Sequence, residues 1–362
     1  MRRRDFLENA SATAITGLAA TILPRRARAQ DKGQVVVASY GGAYQDAQRE
    51  IYFKPFEKET GIRVVDVPGF TIAKIQVMGK AGNMEWDLVP AVTTDVLVLS
   101  SQGLLEKIDY SAIDPKVLAG IDKNLQKPFS IASLWASSVI AYSTKAFPAG
   151  SPHPDRWADL WDVARFPGKR MLPAGDYVVN PIEPALLADG VPKDKLYPID
   201  FDRAYKSLGR IRPDVVKWIN TAAAIPQALT DGSAVVGLAN AARIQDLIQQ
   251  GAPIAFTWNE GILFNTTWAV PKGGPNSAGA MKLIEFALRP DRQAAFVKLQ
   301  PSGPTNRDAF AFIPENERNR YPSFPDNLKK QVVLDAEWWA AKNGTKSNLE
   351  FNADLWRKWM VT

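Results

Sequence analysis

The apolar pattern is clearest where it changes period. Val35-Val36-Val37 is a β-branched run suited to a buried strand, and Tyr40-Gly41-Gly42-Ala43-Tyr44 breaks it at once with two glycines. Beyond the break, Ala43, Ala47, Ile51, Phe53 and Phe56 recur at near-helical spacing. Gly61 then stops the helix, and Ile62-Arg63-Val64-Val65 reads as a second strand. A strand-loop-helix-strand unit is predicted, with the loop opening at the carboxyl edge of the sheet against a helix amino end. Gly41-Gly42 has two readings there, a tight turn and a loop that approaches a ligand. Neither G-x-x-x-x-G-K-[ST] nor G-x-G-x-x-G occurs in this loop, which argues against a phosphate site.

The alternation continues. Residues 86–92 read as a strand, with Thr93-Thr94-Asp95 placed to cap a helix over 96–102 or to present polar groups at the same strand-end edge. Residues 131–142 are extended chain, long enough to cross from one lobe to another. Strands are predicted at 169–172, 233–239, 254–258 and 267–271, and helices at 184–190, 202–211, 240–250, 277–287, 290–299, 326–331 and 349–360. An outward crossing near 133–142 and a return near 262–271 divide an α/β chain into two discontinuous lobes. The expected division is 30–137 with 267–308, and 138–266 with 309–362, with a cleft between them.

Composition changes this picture mainly at the amino terminus. Arg2-Arg3-Arg4-Asp5-Phe6-Leu7, an uncharged run and Ala27-Arg28-Ala29 have the layout of a twin-arginine export signal cleaved after Ala29. Residues 1–29 hold six arginines and two acids, so most of the formal charge of +6 leaves with them. No basic stripe with interleaved aromatics remains, and a nucleic-acid partner is not expected. Ala10 to Leu23 is too short and too rich in Ala, Ser and Thr to span a bilayer, and no later run of 18 apolar residues exists. A bacterial periplasmic destination without membrane insertion follows. With no cysteine in 362 residues, no disulfide holds the fold.

Candidate chemistry is sparse. There is no G-x-S-x-G, and the single histidine, His153, sits between two prolines in what reads as an exposed loop. No cofactor motif or metal-ligand cluster stands out, and a ferric site would want adjacent tyrosines, which are absent. An enzyme, as a lyase or hydrolase, is the remote alternative to a binding protein.

Several segments occur together in a telling order: Ser39-Tyr40-Gly41-Gly42-Ala43-Tyr44, Phe56-Glu57-Lys58-Glu59-Thr60-Gly61-Ile62, Ala185-Leu186-Leu187-Ala188-Asp189-Gly190-Val191, Ala269-Val270-Pro271-Lys272-Gly273 and Gly303-Pro304-Thr305-Asn306. With the export signal, they resemble the extracellular solute-binding proteins of ABC importers, in the spermidine/putrescine-binding branch. The resemblance implies a type II periplasmic binding fold, a monomer whose lobes close on a small solute and present it to ABC permease subunits. It also implies no catalytic residue, metal or cofactor.

Polyamine binders of this branch cage the alkyl chain with aromatic rings and hold each ammonium on carboxylates. Here Asn240 and Ala241 stand where that pattern has a Trp-Asn-Gly turn. Phe264 keeps an aromatic, and Thr266 occupies the place of an aspartate. The lost carboxylate could be replaced by Asp95, Asp176, Glu183 or Glu260. Arg243 is either a surface residue of its helix or a cleft cation that selects an anionic group, and Trp339 either a cleft wall or core packing. The candidate ligand set is Tyr40, Gly41, Gly42, Thr93, Thr94, Asp95, Trp135, Asp176, Tyr177, Asn240, Arg243, Phe264, Asn265, Thr266 and Trp339. The expected solute is polyamine-like or amino-acid-like, with a small organic anion or opine as the alternative.

Overall fold

The computed structural model describes residues 33–362 apart from positions 178 and 222. The expected signal segment and its cleavage site lie outside the described residues. The chain opens as β1 (Gln34–Ser39), α1 (Gly42–Gln48), a π-helical turn (Arg49–Phe53) and α2 (Lys54–Thr60), which ends on Gly61 at φ 74°. β2 (Arg63–Pro68) returns parallel to β1, pairing Gln34 with Arg63 through Ser39 with Pro68. The strand-loop-helix-strand unit is therefore present.

Next come α3 (Ile72–Ala81), β3 (Val89–Val92), α4 (Thr93–Ser101), α5 (Pro115–Ala119), β4 (Gln126–Lys127) and the 14-residue β5 (Ser130–Ser143). α6 (Trp157–Trp161), β6 (Arg170–Pro173), α7 (Ile182–Ala188), α8 (Phe201–Ile211), β7 (Val215–Ile219), α9 (Ala224–Asp231), β8 (Val236–Asn240) and α10 (Ala241–Gln249) follow. The 16-residue β9 (Ile254–Ala269) leads back to α11 (Ser277–Leu288), α12 (Pro290–Leu299) and β10 (Gly303–Pro304). The chain closes with α13 (Pro325–Leu328), β11 (Val332–Val333), α14 (Ala336–Ala340), the β12 (Lys342–Asn343) and β13 (Lys346–Ser347) hairpin, and α15 (Asn348–Met360).

β5 and β9 are the frame. They run antiparallel from Ile131 opposite Trp268 to Ser143 opposite Ile254, inside a sheet of order β11-β9-β5-β8-β6-β7 to which β3, β4 and β10 attach. One apolar core, with Val35, Phe56, Ile131, Trp268, Leu283 and Phe296, gathers at one end of this pair. A second, with Ile140, Trp157, Leu186, Leu208, Leu238 and Trp339, gathers at the other. These two main cores, with smaller ones around Trp86 and Leu99 and around Ile219 and Ile244, are joined by continuous strands and make the two-lobe α/β architecture of a solute-binding fold. The first core continues past residue 308 through Ala309, Ile313 and Tyr321.

Four expectations are corrected. Two strands were expected over 254–271, but β9 is one strand. Its register shifts opposite Ser138 and Ile140, and the shift contains Glu260 at φ 55°. The irregular turn survives because its polar groups are paired: Glu260 Oε2 accepts from Trp157 N, its carbonyl from Trp157 Nε1, and its N–H donates to Lys330 O, each at 2.9 Å. Thr93, Thr94 and Asp95 are not caps but the first turn of α4, after Val92. The helix expected at 326–331 is a single turn, Pro325–Leu328. His153 is half-buried rather than exposed, stacked on Tyr142 with ring centroids 4.7 Å apart.

Candidate functional site

The ends of β1, β3 and β8 meet the inner stretches of β5 and β9 around a cavity of about 670 Å³. From the first lobe come Tyr40, Gly41, Gly42, Tyr44 and Asp95; from the second come Tyr177, Asn240, Arg243 and Asp246; Leu134, Ala136, Ser138, Phe264 and Thr266 of the connecting strands form the floor. Gly41 and Gly42 have φ of 84° and 58°, where a side chain is strained, and a Cβ on Gly42 would meet nothing within 4 Å. The glycines are thus required by the turn, and the turn borders the cavity. Tyr40 sets its ring edge-to-face on Tyr44 and on Phe70, both at 5.6 Å, so an aromatic shelf extends from the loop.

Asp95 is the group with most chemical consequence. Burial in the first turn of α4 pushes its carboxyl up to about 6. Among the described residues it has neither hydrogen bond nor ion pair. Facing it from the other lobe, α10 carries Arg243, whose guanidinium likewise forms no hydrogen bond or ion pair there. Asp246, one turn further along α10, feels Arg243: burial raises the Asp246 carboxyl and the charges of Arg243 and Arg320 oppose that rise. The Tyr177 phenol is raised by burial, and Arg243 again opposes the shift. Asn240 has a local task as well, because its Oδ1 accepts from Ala242 N at 3.1 Å and Arg243 N at 3.4 Å and so caps α10. An unpaired acid on one wall and an unpaired base on the other suit a ligand carrying both charges.

The period of two along β5 and β9 sorts the other candidates. Leu134 pairs with Thr266 and Ala136 with Phe264 on the face of this cavity, whereas Trp135 pairs with Asn265 on the reverse face. There a second cavity, of about 370 Å³, is lined by Thr93, Thr94, Trp135 and Asn265, with Lys127 and Glu337. Phe264 borders both cavities. Thr93 Oγ1 is hydrogen-bonded to Asn265 Oδ1, which joins α4 to β9. Thr93, Thr94, Trp135 and Asn265 therefore line a different cavity from Tyr40 and Arg243, with Val92 and Phe264 bordering both.

Two candidates lie outside both cavities. Asp176 is exposed and lines neither. Trp339 is not a cleft wall: it is 1% exposed in the second core, with its indole N–H donating to Glu183 Oε1 at 2.7 Å. Glu183, also buried, accepts from Tyr197 Oη at 2.7 Å, and burial raises its carboxyl, so it serves packing and not the cavity. Glu260 is occupied by Trp157. Sequence reasoning overlooked Tyr44, Asp246, Gln300 and Ser302. Asp246 had a signal, its place three residues after Arg243 on one helix; Gln300 and Ser302 enter from a loop with none. Among the described residues no cluster of His, Cys, Asp or Glu could hold a metal ion, and no helix is long and apolar enough to cross a membrane.

A two-lobe α/β fold with a polar, aromatic-walled cavity between the lobes defines the class of solute-binding proteins. The chain belongs to the bacterial extracellular solute-binding proteins, whose family profile it matches over residues 52–326. It is 35% identical over 336 residues to the gamma-aminobutyric acid-binding protein of Pseudomonas aeruginosa, covering 90% of this chain and 92% of that one. It is 27% identical over 298 residues to the spermidine/putrescine-binding periplasmic protein of Escherichia coli, covering 78% and 81%. The crystal structure of an ABC transporter substrate-binding protein from Bradyrhizobium japonicum superposes with a TM-score of 0.84 at 35% identity, over 91% of this chain and 99% of that one. The protein is the substrate-binding component of an ABC transporter, and components of this kind are not enzymes but bind small solutes for permease subunits.

Proposed function

We propose that the solute is a zwitterion of the amino-acid type, held with its ammonium on Asp95 and its carboxylate on Arg243. The observation that carries this reading is the pair of unpartnered opposite charges on facing walls of one cavity. The shielded Asp95 carboxylate lacks a counter-ion, the exposed Arg243 guanidinium is free to make a charge-assisted hydrogen bond, and a molecule with both charges supplies each wall with its own. Because the two anchors belong to different lobes, such a ligand gains both contacts fully only when the lobes approach. Its binding therefore shifts the population toward a closed form that the permease recognises.

The P. aeruginosa relative, named for a zwitterion, supports the reading. A polyamine fits less well: Thr266 offers no carboxylate, and Arg243 repels a second ammonium. A dianion meets Asp95. We infer further that residues 1–29 direct twin-arginine export to the periplasm, the compartment named for the E. coli relative, and that residues 30–137 with 267–308 and 138–266 with the chain after Tyr321 move as the two lobes, residues 309–321 going with the first because Ala309, Ile313 and Tyr321 pack in its core.

The test is a thermal-shift and calorimetric panel on mature protein with 4-aminobutyrate, putrescine, spermidine, succinate and an opine. Stabilisation by 4-aminobutyrate or a related zwitterion is expected. Stabilisation by putrescine or succinate alone would overturn the assignment of charges.

A further inference from the structure

The reverse cavity is spanned by an ion pair that the reading above leaves unused. Lys127 Nζ lies 2.7 Å from Glu337 Oε1. Lys127 ends β4, which pairs with the start of β5 beside Leu125 and Ile131 of the first core. Glu337 lies on α14, fixed to the second core by Trp339. Asp335 at the start of α14 is held there too: its N–H donates to Tyr197 Oη at 3.1 Å, and that hydroxyl donates to Glu183. Each partner is thus built into a different lobe. Of the ion pairs among the described residues, this is the one that joins the two cores.

Its position fixes its sense. Trp135 and Asn265 face the reverse cavity while Ala136 and Thr266 face the solute cavity, so the β5–β9 pair lies between the two. When two rigid bodies turn about a pivot sheet, closing one side spreads the other. We propose that Lys127 and Glu337 form a brace that opposes lobe closure and thereby sets the apparent affinity for the solute. Ligand binding must lengthen or break this contact, and part of the binding free energy is spent on doing so. The inference rests on the proposed closure about the solute cavity.

Both side chains are substantially exposed, at 42% for Lys127 and 66% for Glu337, so substitution leaves the cores intact. The experiment measures the Kd for 4-aminobutyrate by calorimetry and the closed fraction by energy transfer between labels on the two lobes. Wild type, Glu337→Gln, Lys127→Glu and the swap Lys127→Glu with Glu337→Lys are compared. Glu337→Gln is expected to tighten binding by about two- to fivefold, in keeping with a partly exposed pair. Lys127→Glu, which sets two carboxylates face to face, is expected to tighten it further and to raise the closed fraction without ligand. The swap is expected to return both quantities to the wild-type values. Unchanged or weaker binding in both single variants, with an unchanged closed fraction, overturns the brace while leaving the solute assignment intact. Failure of the wild type to bind any zwitterion refutes that assignment instead, and the ligand-free closed fractions still decide the brace.

Discussion

Asp95 and Glu183 are both shielded carboxyls, and their surroundings separate the proposed ammonium anchor from a packing residue. Glu183 receives the hydroxyl of Tyr197 and the indole N–H of Trp339, whereas Asp95 receives nothing from the described protein. Glu183→Ala strands two buried donors and is expected to lower stability by about 2–4 kcal/mol in urea denaturation, with little change in solute affinity where the protein remains folded. Asp95→Asn should do the reverse. Burial raises the folded-state pKa of Asp95 to about 6, so its neutral form stabilises the ligand-free fold at low pH, and that contribution is lost as pH rises through about 6. The asparagine variant is therefore expected to melt higher than wild type at pH 7.5 and to bind 4-aminobutyrate about ten- to a hundredfold more weakly. In the wild type, affinity is expected to fall as pH drops below about 6, and calorimetry at pH 6 in two buffers of different ionisation heat should show proton release on binding. A pH-independent Kd between 5 and 8 would remove Asp95 from the ammonium site.

At the scale of elements, what was legible followed from local pattern. β1, the turn at Gly41-Gly42, β5, α10 and α11 lie where periodicity and punctuation put them, with Asn240 the cap of α10 rather than its first residue. α3 carried little signal because only Ile75 is buried along its ten residues, so its apolar stripe is narrow. Asn259-Glu260-Gly261 reads as a strand break by composition, yet β9 runs through it because Trp157 and Lys330, distant in sequence, pair the turn's polar groups. Tight packing between elements yields its own prediction. A Cβ on Gly237 of β8 would lie 2.5 Å from the Met171 carbonyl of β6 and 2.7 Å from Ile225 Cγ2 of α9. Gly237→Ala is expected to cost about 1–3 kcal/mol by overpacking, read as a lower midpoint in chemical denaturation.

For the whole molecule, two cores on shared strands make the solute part of the structure. A ligand that binds only the folded, closed form adds about 2.7 kcal/mol of stability at a concentration of 100 times Kd. Wild-type protein is accordingly expected to melt at a temperature that rises with the logarithm of 4-aminobutyrate concentration, and to become more compact in small-angle scattering. Arg243→Gln should abolish both changes at concentrations that saturate the wild type. Retention of the compaction with Arg243→Gln would show that closure does not need the second anchor.

The sequence alone determined the α/β alternation, the double-glycine turn and the two crossings between lobes, because strand and helix periods and turn residues act over a few positions. It also carried the family resemblance, through the order of short motifs. Only the tertiary structure decided which polar residues confront one another. Asp95 and Arg243 lie far apart along the chain and line one cavity because β3, on the β9 side of the connecting strands, ends at Val92 opposite Thr266, and β8, on the β5 side, ends at Asn240 opposite Ser138. Trp135 and Ala136 are adjacent in sequence and face opposite cavities because a strand alternates its side chains. Trp339 sits next to Trp338 in a pattern that suits a wall or a core, and the buried carboxylate of Glu183, reached only by folding, turns it inward.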